Sequence, residues 1–174
     1  MKIRTFNTYA TAHENLYKEM LTLTQSINAT YPDYTHWFKE KFLSGLDKKE
    51  RMYIIAQNEK DKLLGCLLIK KTDTEKKIST LFVKPEHRGK GIGKKLLAQA
   101  IKELGKHPSL TVSSRNISQL YPLLKSFGFH LSAVKKGVYH PEDTEYYFND
   151  PKADMVKNNL LPILIGRIRQ QEKV

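Results

Sequence analysis

The chain has 174 residues, 40% hydrophobic and 28% charged, with 30 Lys and Arg against 18 Asp and Glu for a formal net charge of +12. That length suits one domain with a sizeable core, and that charge calls for anionic company: an acidic substrate, RNA or DNA, or only the solvent. No apolar run approaches the ~18–20 residues of a membrane span, no charged start with an apolar core marks a leader, and the lone Cys66 excludes an internal disulfide or a cysteine metal cluster.

Lys2, Ile3, Arg4, Thr5 and Phe6 alternate in polarity, which predicts a strand over 2–6. Leu16, Met20, Leu23 and Ile27 recur at helical spacing and predict an amphipathic helix over 13–27, broken at Tyr31-Pro32-Asp33. Trp37, Phe38, Phe42, Leu43 and Leu46 predict a short second helix with Gly45 near its end. Strands are expected at 52–57 and 62–71 around an Asn58-Glu59-Lys60-Asp61 turn, then at 77–83 after a turn over 72–75. Strands joined by such short polar turns make an antiparallel meander. Cys66 lies within the apolar run 63–69 and is expected buried and inert.

From Gly91 onward Ile92, Leu96, Leu97, Ala100, Ile101 and Leu104 recur at helical spacing, and Gly105 stands just past the last of them. A strand at 109–114, reached through that helix, is expected to run parallel to the strand at 77–83. A helix over 119–127 follows with Pro122 in its first turn, where the missing N–H costs little. Gly128-Phe129 ends it, and strands are expected at 130–139 and 144–148. Residues 153–170 read as an amphipathic helix interrupted by Pro162. With Lys152, Lys157, Arg167, Arg169 and Lys173 around it, its candidate contacts are its own domain, a second subunit in a homodimer, a membrane surface, or nucleic acid.

The stretch 81–97 organises the chain. A strand ended by Pro85 runs into a basic loop, Arg88-Gly89-Lys90-Gly91-Ile92-Gly93-Lys94, and then into the helix. Its glycines allow close backbone approach to a ligand, and the helix start offers free N–H groups and a positive dipole end to a phosphate. A Walker A loop needs four residues between its first glycine and the Gly-Lys pair, then Ser or Thr; Lys95 stands at that hydroxyl position. The dinucleotide fingerprint Gly-x-Gly-x-x-Gly fails as well, because this loop is Gly-x-Gly-x-Gly. A bare tight turn would leave the basic residues unexplained.

Arg88-x-x-Gly91-x-Gly93 after a strand, within Val-x-Pro-x-x-Arg-Gly-x-Gly-Ile-Gly, resembles the acetyl-CoA pyrophosphate loop of the GNAT superfamily of N-acetyltransferases. The element order matches that family too, and the resemblance covers residues 1–150, leaving 151–174 as a C-terminal helical extension. It implies an α+β fold: a central, mostly antiparallel mixed sheet of about six to seven strands, flanked by helices, with a splayed parallel pair at the cofactor cleft. It implies acetyl-CoA as cosubstrate, no metal, and no covalent enzyme intermediate. Leu81, Phe82 and Val83 would hold the thioester carbonyl by backbone amides, and the strand end beyond them with Arg88, Gly89, Lys90, Gly91, Ile92, Gly93 and Lys94 would take the pantetheine and pyrophosphate. Asn116 would contact the pantetheine arm. The first two helices would form part of the acceptor wall, lined by Tyr31, Tyr34, His36 and Trp37; the alternative is that Trp37 and Phe38 simply anchor the core.

The chain departs from the family at the general acid. Many members carry a Tyr four residues before the Gly-Phe pair; here that position is Leu124. Tyr121, one turn earlier, and Ser114, at the end of the second cleft strand beside Ser113, are the candidates. Relatives often place a basic Glu within the motif strand, and this one has none; Glu75, His36, His140 or a water chain remain. Transfer of acetyl to a small-molecule or peptide amine, in a cytoplasmic protein, is the leading expectation. Its alternatives are an RNA-linked amine such as aminoacyl-tRNA, and a non-catalytic module binding coenzyme A or nucleic acid.

Overall fold

A computed structural model describes residues 1–105 and 108–152. The helix expected over 153–170 lies outside them. The chain divides into two compact units, Met1–Pro108 and one that begins at Ser109.

In the first unit β1 (Lys2–Phe6), β2 (Arg51–Gln57), β3 (Leu63–Lys71) and β4 (Lys76–Val83) lie side by side in chain order. Each pairs antiparallel with the next, as short polar turns dictate. Strands β2 and β3 are buried almost throughout because both faces of the sheet are covered. One face carries Tyr53, Ile55, Cys66 and Leu68 against Tyr17 and Met20 of α1 (Glu14–Thr24) and against Phe38, Phe42 and Leu46. The other is covered by α4 (Ile92–Leu104), which buries Ile92, Leu96, Leu97, Ala100 and Leu104 and packs on β2, β3 and β4.

Two helices of this unit differ from expectation. α1 stops at Thr24, whose hydroxyl turns back to the Met20 carbonyl at 2.8 Å, and the chain continues to Ala29 as a 3₁₀ helix. A hydroxyl spent on the preceding turn loosens the α-helical ladder there. The short second helix is composite: α2 (Tyr34–Trp37), a π-helical stretch Phe38–Leu43, and α3 (Ser44–Asp47). The wider π turn lets Trp37, Phe38 and Phe42 pack together on the sheet, with Phe38 and Phe42 ring centroids 5.2 Å apart.

The second unit holds β5 (Ser109–Ser113), α5 (Ile117–Ser126), β6 (Leu131–Lys136) and β7 (Thr144–Phe148). β7 pairs antiparallel with both β5 and β6. α5 starts earlier than expected, so Pro122 lies inside it rather than in its first turn and removes one N–H from the ladder. β6 stops at Lys136 because Gly137 takes a left-handed φ of 71° and its N–H goes to the Asp143 carbonyl at 2.9 Å. The mixed α/β fold class expected from the sequence is the one observed.

Candidate active site

The geometry of the motif strand divides the backbone groups expected to act there. The Lys84 N–H donates to the Leu64 carbonyl at 2.9 Å. Cys66 stands opposite Phe82, and Leu67 opposite Leu81. Backbone direction alternates along a strand, so the Phe82 N–H also turns toward β3. The Leu81 and Val83 N–H groups are therefore directed away from β3. The Phe82 ring packs against the core cluster instead.

Past Val83 the chain makes one 3₁₀ turn at Pro85–His87 and enters the glycine loop. Gly89 and Gly91 have φ of 73° and 76°, a conformation that side chains rarely adopt, and a Cβ at either would meet nothing within 4 Å. The glycines thus answer to backbone conformation, and the space in front of them is open. Gly91 is the N-cap of α4 with no side-chain cap bond, and the first intrahelical bond runs from the Lys95 N–H to the Gly91 carbonyl at 3.1 Å. The N–H groups of Ile92, Gly93 and Lys94 lie before that bond, where a helix leaves its donors orphaned.

No acidic residue stands in the first turn of α4. Arg88 and Lys90 are exposed, and each is steadied through the loop's own carbonyls: Arg88 Nε donates to the Val83 carbonyl at 3.0 Å, and Lys90 Nζ to the Glu86 carbonyl at 2.9 Å. Orphan donors, an open approach and two steadied cations fit a pyrophosphate.

In the second unit the residues after β5 are held by β7. The Ser114 N–H donates to the Thr144 carbonyl at 2.7 Å, and Ser114 Oγ accepts the Thr144 N–H at 3.1 Å. Asn116 is the N-cap of α5, exposed and without a side-chain cap bond. Tyr121 is half-buried on α5, and Leu124, at the family's tyrosine position, is core at 1% exposure.

The remaining candidates separate. Tyr34 is buried with its hydroxyl 3.2 Å from Thr80 Oγ1, and burial raises its pKa, so it is a neutral core phenol. Trp37 packs against the same cluster, whereas His36 is exposed. Glu75 pairs with Lys70 beside its hairpin turn. His140 keeps its ring Nε2 buried and without a hydrogen-bond partner among the described residues. The sequence reading missed Glu145, a carboxylate at 2% exposure that faces Ser113 across the β5–β7 ladder. Its alternation within 144–148 was legible, yet a charged residue at an inward position reads as an exception. After burial itself, Glu145 is the next cause raising the Tyr139 pKa. Among the described residues no cluster of His, Cys, Asp and Glu could hold a metal ion, and no helix is long and apolar enough to cross a membrane.

A strand, a glycine-rich turn and a helix start with free N–H groups make an arrangement suited to an anion. The family model for the GNAT acetyltransferase domain matches residues 3–139, and the chain belongs to that family. It is accordingly an acetyltransferase by class.

Among curated proteins none matches the chain. Solved structures share the fold at low identity. An aminoglycoside 6′-N-acetyltransferase from Enterococcus faecium is 14% identical, with 88% of this chain and 100% of that chain covered and a TM-score of 0.62. An acetyltransferase of the GNAT family from Staphylococcus aureus is 19% identical, with 86% and 100% covered and a TM-score of 0.57. A chain of the NatC complex, solved with Gag peptide and CoA, is 18% identical, with 85% and 97% covered and a TM-score of 0.62.

Proposed function

We propose that this protein transfers the acetyl group of acetyl-CoA to a primary amine of a small molecule or peptide, by direct attack within a ternary complex. One observation carries the reading: the open glycine loop with orphan N–H donors at Ile92, Gly93 and Lys94, flanked by Arg88 and Lys90. When bound, acetyl-CoA would supply a thioester already reactive enough to need neither metal nor covalent enzyme intermediate. Likeness to structures solved with coenzyme A supports this choice of donor.

The protein's own residues bind, orient and move protons. The loop N–H groups with Arg88, Lys90 and Lys94 hold the pyrophosphate, and Asn116 contacts the pantetheine arm. Leu81 and Val83 present backbone N–H groups to the carbonyl oxygen, where fixed donors lower the barrier most. As nitrogen bonds to the acetyl carbon and the C–S bond breaks, the amine's proton passes to water and Tyr121 or Ser114 gives one to the leaving sulfur. Ser114 Oγ already accepts from Thr144, which leaves its own hydrogen to donate. We assign this activity to a module of residues 1–150 in a cytoplasmic protein, with 151–174 as its extension.

Release of free coenzyme A thiol, followed over a panel of polyamines, aminoglycosides and peptide amines, tests the reading. Amine-dependent release by the wild type, lost in Gly91→Glu, is expected. A protein that binds acetyl-CoA yet releases no thiol with any amine would contradict transfer and leave a binding module.

A further inference from the structure

Basic residues outside the glycine loop gather at the opposite end of β4. There the starts of β2 and β4, the end of β3 and the last turn of α4 enclose an open cleft of about 480 Å³ lined by Lys49, Arg51, Lys71, Asp73, Lys76 and Glu103. Its size lies within the range of sites for small molecules.

Arg51 is the fixed point of this cleft. Its stem passes so close to Gly45 that a Cβ there would stand 2.3 Å from Arg51 Cγ. The guanidinium carbon lies 5.6 Å from the Trp37 ring centroid, and Nη1 donates to Ser79 Oγ at 3.4 Å. Neither partner is charged. Burial pulls its pKa down, against the opposing effect of Glu75 and Glu50. A half-buried guanidinium held by an aromatic face and a hydroxyl is preorganised for two-pronged contact with an oxyanion.

The surroundings carry both signs of charge. Lys71 Nζ donates to the Glu103 carbonyl at 3.1 Å, which offsets the negative end of α4. The Glu103 carboxylate is engaged by Gln99 Nε2 at 2.8 Å, and Asp73 is the other acid in the lining. Lys49 is exposed and takes the left-handed position that closes α3, its φ of 60° set by the Lys49 N–H to Leu46 carbonyl and Glu50 N–H to Gly45 carbonyl bonds at 3.1 and 2.8 Å.

We infer that this cleft binds a phosphate group, with Arg51 making the two-pronged contact and Lys49 and Lys76 supplying the surrounding positive charge. The site is separate from the glycine loop and does not depend on the acetyl-transfer reading.

Calorimetric titration at low salt of inorganic pyrophosphate and, in parallel, adenosine monophosphate tests it. The proteins compared are the wild type, Gly91→Glu, whose glycine loop is closed to phosphate, and the double variants Gly91→Glu/Arg51→Gln and Gly91→Glu/Lys49→Gln. Gly91→Glu should still bind at least one ligand, and adding Arg51→Gln should weaken it about tenfold or more, as the loss of a charge-assisted contact implies. The exposed Lys49→Gln should weaken it without touching the core, which keeps the test sharp if Arg51→Gln folds poorly. The ligand that binds more tightly distinguishes free from esterified phosphate. Binding that survives both cleft substitutions, vanishes in Gly91→Glu, or is absent from the wild type would overturn the inference. An acetyl-CoA titration of the same four proteins reads the glycine loop independently.

Discussion

Arg88 reaches back from the glycine loop to the end of its own motif strand, donating from Nε to the Val83 carbonyl at 3.0 Å. The same guanidinium lies 5.6 Å from the Phe82 ring centroid. One side chain therefore joins the strand expected to hold the thioester to the loop expected to hold the pyrophosphate, with its terminal nitrogens left for a ligand. Arg88→Lys keeps the charge and loses the fork. Its affinity for acetyl-CoA should fall about tenfold, the equivalent of one charge-assisted contact. Calorimetry checks this, and an unchanged dissociation constant would remove Arg88 from the site.

Gly91→Glu and Gly93→Glu should abolish measurable acetyl-CoA binding, since each puts a carboxylate in the phosphate cradle. Gly91→Ala separates charge from conformation. It places a side chain at φ 76°, which costs roughly 1–2 kcal/mol of stability. Because the added Cβ meets nothing within 4 Å, binding should survive in the fraction that folds. Thermal melts and titrations of the three variants distinguish the effects.

For the proton returned to sulfur, Tyr121→Phe should lower the turnover rate while leaving acetyl-CoA affinity within about twofold of wild type. Ser114→Ala should cost about 1 kcal/mol of stability by stranding the Thr144 N–H, whatever its effect on rate. If Tyr121→Phe turns over normally and Ser114→Ala does not, the acid is Ser114. If both turn over normally, the proton comes from solvent.

Burial pushes the Cys66 thiol from its ordinary 9.0 up to about 12, and raises the Tyr34 and Tyr53 phenols as well. The folded state then keeps protons that the unfolded state releases, so stability is full below about pH 9 and falls as pH rises through the folded values. Urea midpoints at pH 7.5, 9 and 10.5 should decrease in that order. Iodoacetamide should leave Cys66 unmodified in the native protein at pH 8 and label it fully in denaturant, because the thiolate is the reactive form.

The meander, the loop and α4 were legible because each rests on local signals: alternating apolar residues, polar turns, glycines at fixed spacing and a clear helical period. What was not legible depended on tertiary packing. The π-helical stretch Phe38–Leu43 exists because three aromatic rings must reach one face of the sheet, and no spacing rule announces it. Pro122 would ordinarily mark a helix start, yet Ile117, fully buried, carries α5 back past it. In the site, the motif placed the loop residues by number, but only the strand register separates Leu81 and Val83 from Phe82. Tyr34 fitted a substrate wall by composition and proves to be core through its contact with Thr80.

A thermal-shift titration with acetyl-CoA, coenzyme A and ATP, at low and moderate salt, tests the central claim most directly. A ligand at about a hundred times its dissociation constant adds ~2.7 kcal/mol of stability. A shift is expected with acetyl-CoA and coenzyme A that ATP does not match and that Gly91→Glu loses. An equal shift with ATP, or none with any of the three, would make the loop a generic anion site or no site, and would contradict the assignment of acetyl-CoA as donor.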